Sequence, residues 1–168
     1  MILRIKKELY KDENDFVIES GEFYATVVKF IKSYAIYNNQ DEQICQIEFK
    51  ELLAKVIVAE SAAINIVRRG QSYIIDKAFI DDESITNPST KKENKSKYFI
   101  YGKPLEYKYD IYEQTVGAKR PELAATVIND INDNQFYKIR ISGGSNMLKL
   151  LAISLAIAKL NSDPESNY

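Results

Sequence analysis

Ser145-Asn146-Met147-Leu148-Lys149-Leu150-Leu151-Ala152-Ile153-Ser154-Leu155-Ala156-Ile157-Ala158-Lys159-Leu160-Asn161 has no polar face. Between Leu150 and Ala158 the only polar residue is Ser154. Ala and Leu are strong helix formers. Ser145 or Asn146 offers a side-chain oxygen to the first free N–H groups, and Asn161-Ser162-Asp163-Pro164 stops the run. The stretch therefore predicts a helix over 145–161. A helix that is apolar all round is either surrounded by protein or spans a membrane. Length separates the two. Residues 147–160 rise about 21 Å at ~1.5 Å per residue, whereas a bilayer core needs about 30 Å. Lys149 and Lys159 shorten the apolar centre further. The expectation is a central buried helix.

What encloses it is written in the preceding 142 residues. Leu105, Tyr107, Tyr109 and Ile111 alternate with Glu106, Lys108, Asp110 and Tyr112, the period of two of a half-buried strand. Tyr137, Ile139 and Ile141 alternate with Phe136, Lys138 and Arg140, and Ala62, Ile64 and Ile66 with Ala63, Asn65 and Val67. Less regular strands are expected at 2–6, 15–19, 22–30, 33–38, 43–49, 53–59, 72–80, 97–102 and 123–130. Turn chemistry separates them: Ser20-Gly21-Glu22, Asn38-Asn39-Gln40-Asp41, Arg68-Arg69-Gly70-Gln71, Gly102-Lys103-Pro104 and Asn132-Asp133-Asn134. About a dozen short strands at this spacing, without crossover helices, predict antiparallel pairing in a sandwich or barrel. A helix without a polar side favours a closed barrel of about twelve strands around it. Such a barrel has room inside for a helix, and closure removes exposed edges. A filled interior moves function to the outer surface.

The chain of 168 residues reads as one domain. The polar run 81–97 interrupts it and reads as a solvated loop. The chain has no His and one Cys. That excludes Ser-His-Asp and Cys-His catalysis and any Cys/His zinc or iron–sulfur site. Cys45 alternates with Ile47 and Phe49 and reads as a small core residue in a reducing, cytoplasmic setting. The six glycines form neither GxGxxG nor a Walker A loop, so no cofactor is expected. Neither a signal peptide nor a lipidation box is read at the termini. Asp130-Ile131-Asn132-Asp133-Asn134-Gln135 begins like a calcium loop. It lacks the sixth-position Gly and the bidentate Glu, and reads as a hairpin turn, so no metal is expected. The net charge of −1 argues against nucleic acid as partner.

Several segments resemble one family. Phe16-Val17-Ile18-Glu19-Ser20-Gly21-Glu22-Phe23-Tyr24 is similar to its opening hairpin, and Ile44-Cys45-Gln46-Ile47 to its paired-Ile strand. Phe99-Ile100-Tyr101-Gly102 is similar to its mid-chain strand ending in Gly, and Leu150 to Ala158 to its central helix. The family is that of the LURP-one-related proteins, grouped with phospholipid scramblases and the tubby C-terminal domain. The short Glu19-Ser20-Gly21 turn, Lys159 and the 81–97 insertion depart from its pattern. The resemblance implies a twelve-stranded barrel around a helix. From its relatives comes the expectation of a non-enzymatic module, cytoplasmic and peripheral to the inner face of the membrane, that binds anionic lipid. Candidate anionic-surface residues are Lys91, Lys92, Lys95 and Lys97 in the polar run, and Lys138 and Arg140 on one strand. The alternatives are a protein-interaction scaffold with a protein partner and, below it, a small carboxylate-dependent hydrolase built on Asp81-Asp82-Glu83. The composition, rich in Ile, Lys, Asn and Tyr, is that of an AT-rich bacterial genome.

Overall fold

The computed structural model describes residues 1–7, 15–21, 23–59, 61–75 and 96–162. Among these, twelve strands precede one α-helix. They are β1 (Ile2–Lys6), β2 (Phe16–Ser20), β3 (Phe23–Lys29), β4 (Ser33–Tyr37), β5 (Gln43–Lys50), β6 (Leu53–Val58), β7 (Ile64–Arg69), β8 (Ser72–Ile75), β9 (Lys97–Lys103), β10 (Lys108–Gln114), β11 (Glu122–Asn129) and β12 (Phe136–Ile141). The helix, α1, is Met147–Asn161. Residues 81–95 of the polar run lie outside the described residues, and Ser96 and Lys97 lead into and begin β9.

Each paired strand is antiparallel to its neighbour. The ladders form a five-stranded sheet, β1-β12-β11-β10-β9, and a seven-stranded sheet, β2 to β8 in chain order. A single hydrogen-bonded sheet closed on itself is therefore not what the ladders show. The two sheets meet edge to edge, β1 beside β2 and β8 beside β9. Ser20 Oγ donates to Ile2 O at 3.0 Å across the first seam.

The period-two reading holds in detail for β12, where Tyr137, Ile139 and Ile141 are buried and Arg140 is exposed. In β10 it starts too early. Pro104–Glu106 form a 3-10 turn, and Tyr107 closes it with φ 53° in the left-handed region. The strand therefore begins at Lys108. Proline fixes the backbone of this turn, and local turn geometry overrides the alternation. Gly102, at φ 122°, permits the close pass of β9 against β10: a Cβ there would lie 2.6 Å from Lys108 O.

α1 is enclosed. Leu151, Ala152, Ile153, Ala156 and Ile157 are fully buried. At ~100° per residue they point in every direction around the axis. The helix touches β5, β6 and β7 of one sheet and β11 and β12 of the other. Asn146 caps it, its Oδ1 accepting the Lys149 N–H at 3.1 Å. Ser154, the polar interruption, turns its hydroxyl back to Leu151 O at 2.8 Å and so exposes no unmet donor to the core. Cys45 is 2% exposed, and burial pushes its thiol up to about 12, an inert core residue. Each fully buried Leu or Ile contributes about 1.5–3 kcal/mol, so this one helix holds much of the core together. Leu151→Asp is expected to cost several kcal/mol, because a charge would be buried without a partner. Thermal denaturation checks it; a soluble variant with the native Tm would refute the enclosure.

Candidate functional site

Antiparallel order sends alternate turns to opposite ends of the molecule. At the end where α1 terminates, here the distal end, lie the β3–β4, β5–β6, β7–β8, β9–β10 and β11–β12 turns and the end of β1. The proximal end, where α1 begins, carries the β2–β3, β4–β5, β6–β7 and β10–β11 turns.

The distal end is held shut by a buried arginine. Arg68 is 2% exposed. Its Nε donates to Gly70 O at 2.8 Å, and its Nη1 to Leu160 O at 2.9 Å and Asn161 O at 3.4 Å. These last two are carbonyls that a helix C-terminus leaves without intrahelical donors. The Tyr73 hydroxyl lies 2.6 Å from Asn161 Oδ1 and 3.3 Å from Ile157 O. Burial pushes the Tyr73 phenol up more than the nearby Arg68 charge pulls it down, so it stays a donor. Asn161 Nδ2 donates to Pro104 O at 2.9 Å. Arg68 and Tyr73 of the seven-stranded sheet and Pro104 next to β9 thus meet at the end of the helix.

A second polar cluster shapes the β11–β12 turn. Asp130 is 5% exposed and accepts Arg4 Nε at 2.7 Å, the Asn132 N–H at 3.0 Å and, at 3.9 Å, Lys138 Nζ. The Arg4 hydrogen bond, then that of Asn132 and the Lys138 and Arg4 charges, hold this carboxyl below the ordinary value of 3.8, against the opposing effect of burial. The Arg4 guanidinium also sits 3.6 Å over the Phe136 ring. The calcium-like run is a hairpin turn, its first carboxylate engaged by these donors.

Around the distal rim the exposed charge of the described residues is mainly positive. Lys32 follows β3, Lys50 ends β5, Arg69 ends β7 and Lys103 ends β9; all four are exposed. Lys7 follows β1 with its ammonium 4.9 Å over the Tyr107 ring, and Lys159 lies in the last turn of α1. Asp15, Glu51, Glu106 and Asp133 oppose them, Glu106 within 3.6 Å of Lys103. Ile31, Lys32, Phe49, Lys50, Glu51, Lys159 and Leu160 line a groove of about 330 Å³ on this rim. At the proximal end, among the described residues, Glu19, Asp41, Glu42, Glu113 and Glu122 stand against Lys97, Lys119 and Arg120, so the excess of cations is absent there.

Of the sequence-predicted surface residues, the described ones, Lys97, Lys138 and Arg140, do not share one patch. Lys91, Lys92 and Lys95 lie outside the described residues, as do Asp81, Asp82 and Glu83. Lys97 is exposed at the proximal end of β9, opposite Gln114. Lys138 and Arg140 lie three strands away on β12. Lys138 approaches Asp130, while Arg140 is exposed between Ile2 of β1 and Thr126 of β11. The residues missed are Arg68 and the distal rim. The first was in reach: Ile64, Ile66 and Arg68 continue one alternation, so Arg68 had to face inward.

Arg68→Met leaves charged hydrogen bonds to three carbonyls unmade, and a loss of about 3 kcal/mol in chemical denaturation is expected. Asp130 has a depressed pKa, so its contribution is complete above the ordinary carboxylate range and fades as pH falls below 3.8 through the folded-state value. Asp130→Asn should flatten the acid limb of stability against pH. An unchanged limb would show that the Arg4–Asp130 pair contributes nothing.

No family model matches the chain, and no curated protein matches it in sequence. In structure it is similar to the X-ray structure of a protein from Arabidopsis thaliana, with a TM-score of 0.60 over 95% of this chain and 90% of that one. The two are 10% identical, so the likeness is one of fold: a mainly β chain of two antiparallel sheets with one C-terminal helix.

Proposed function

We propose that this chain is a single LURP-one-related, tubby C-terminal-like domain whose two sheets close around α1 as a barrel, and that it works as a non-enzymatic module docking on anionic membrane surfaces from the cytoplasmic side. The observation that carries the reading is the excess of cations, among the described residues, at one rim. A chain of net charge −1 gathers Lys7, Lys32, Lys50, Arg69, Lys103 and Lys159 at the rim where α1 ends. A cation near an anionic leaflet gains about 1 kcal/mol, so a cluster on one rim suffices for reversible attachment where dispersed charge does not. The interior is filled by α1 and leaves its chemistry to the exterior. Among the described helices none is long and apolar enough to cross a membrane, which fits attachment from outside. The fold likeness and the sequence resemblance support the domain assignment.

Co-sedimentation with neutral and anionic vesicles, at low and physiological salt, tests the reading. Binding to anionic vesicles alone, weakened by salt, is expected. Lys32→Glu, Lys50→Glu and Arg69→Glu together should weaken it about a hundredfold at low salt, whereas Arg140→Glu should leave it within about twofold. Salt-resistant binding to both vesicle types would mean that α1 inserts. No binding to either would remove the membrane and turn the search to protein partners.

A further inference from the structure

We infer that the distal rim meets the lipid surface end-on, with Ile31 and Ile131 entering the boundary between headgroups and acyl chains as a pair of anchors. The inference rests on the membrane reading above and adds to it an apolar contact and an orientation. Ile31 is 96% exposed and Ile131 94%; the next most exposed large apolar side chain among the described residues, Tyr101, stands at 58%. Both isoleucines occupy turn tips, where Gly, Asn, Asp and Ser have the physical advantage.

Neither tip is loose. The β11–β12 turn is closed by Asp130 N donating to Phe136 O and Phe136 N to Asp133 O, both at 3.1 Å. The Asp130 and Asp133 side chains accept the Asn132 and Gln135 N–H groups at 3.0 Å each. The two aspartate side chains of the turn are thus folded back onto its own backbone, and Ile131 projects. The β3–β4 turn is closed by Phe30 N donating to Ser33 O, and Lys32 O ties it to β5 by accepting the Phe49 N–H, both at 2.8 Å. Phe30, 56% exposed, adjoins Ile31.

The topology puts the two tips on one rim. From the β11–β12 turn to the β3–β4 turn the order is β12, β1, β2, β3, which at ~4.8 Å per paired strand, and a seam between β1 and β2, puts the tips on the order of 20 Å apart. Lys7 follows β1 between them and Lys32 follows Ile31. Apolar points flanked by cations suit an interface in which apolar groups reach the acyl boundary and cations stay among anionic headgroups. A protein partner asks for a continuous apolar patch; two separate tips divided by charge fit a deformable lipid surface better.

The test labels single introduced thiols with an environment-sensitive fluorophore. Buried Cys45 stays unlabelled in the folded protein. Ile31→Cys, Ile131→Cys and, as a proximal control, Asn39→Cys are mixed with phosphatidylcholine–phosphatidylserine vesicles. A blue shift is expected at 31 and 131 and none at 39. Ile31→Ser with Ile131→Ser should weaken vesicle binding about tenfold or more with an unchanged dependence on salt, and Tm should stay native because both side chains are exposed. If the native chain binds but neither tip shifts and the double variant binds as tightly, the anchors fall and the electrostatic reading stands. A native chain that binds no vesicle overturns both.

Discussion

A fifteen-residue helix that cannot face water anywhere is the constraint on which this structure depends. Leu150 to Ala158 bury their side chains in all directions. An open sheet covers only one side of a helix, so the chain must supply a surface on each side. It does so with a five-stranded and a seven-stranded sheet whose edges meet at β1–β2 and β8–β9. Short antiparallel hairpins are an economical way to build both from one chain, since each strand pairs with a neighbour reached by a few residues.

Enclosure creates a problem at the helix ends, because backbone groups there need partners from elsewhere. Asn146 solves it at one end within its own segment. At the other end the solution is tertiary: Arg68 reaches the carbonyls of Leu160 and Asn161, and Tyr73 and Pro104 engage the Asn161 side chain. A charge is thereby buried in order to finish a helix that has no solvent to finish it. The same arrangement locks the distal turns to the core, and this rim carries, among the described residues, an excess of cations beside two outward isoleucines. Structure and proposed function thus meet where α1 ends.

Much of this was legible from the residues. The helix declared itself through composition, since no polar stripe interrupts it. Strands declared themselves wherever Tyr, Ile and Val alternate with charged residues, as in β12. What was hidden depends on geometry that periodicity does not encode. The run from Leu105 to Tyr107 satisfies a strand pattern, yet Pro104 and the left-handed Tyr107 make it a turn. Arg68 stands inside a turn-like Arg-Arg-Gly, and only its place in the β7 alternation marks it as internal. The surface lysines illustrate the other limit. Lys138 and Arg140 share a strand face, but Lys138 also serves Asp130, while Lys32, Lys50 and Arg69 are far apart in sequence and share a rim only because alternate turns share an end.

Native-state hydrogen exchange of the α1 amides, with and without anionic vesicles, tests the central claim most directly. The account predicts that amides from Leu151 to Leu160 exchange only through global unfolding, at the same slow rate in both conditions. Exchange of these amides by local opening, or a change in their rate when vesicles are added, would contradict a helix enclosed on every side and a membrane contact confined to the exterior.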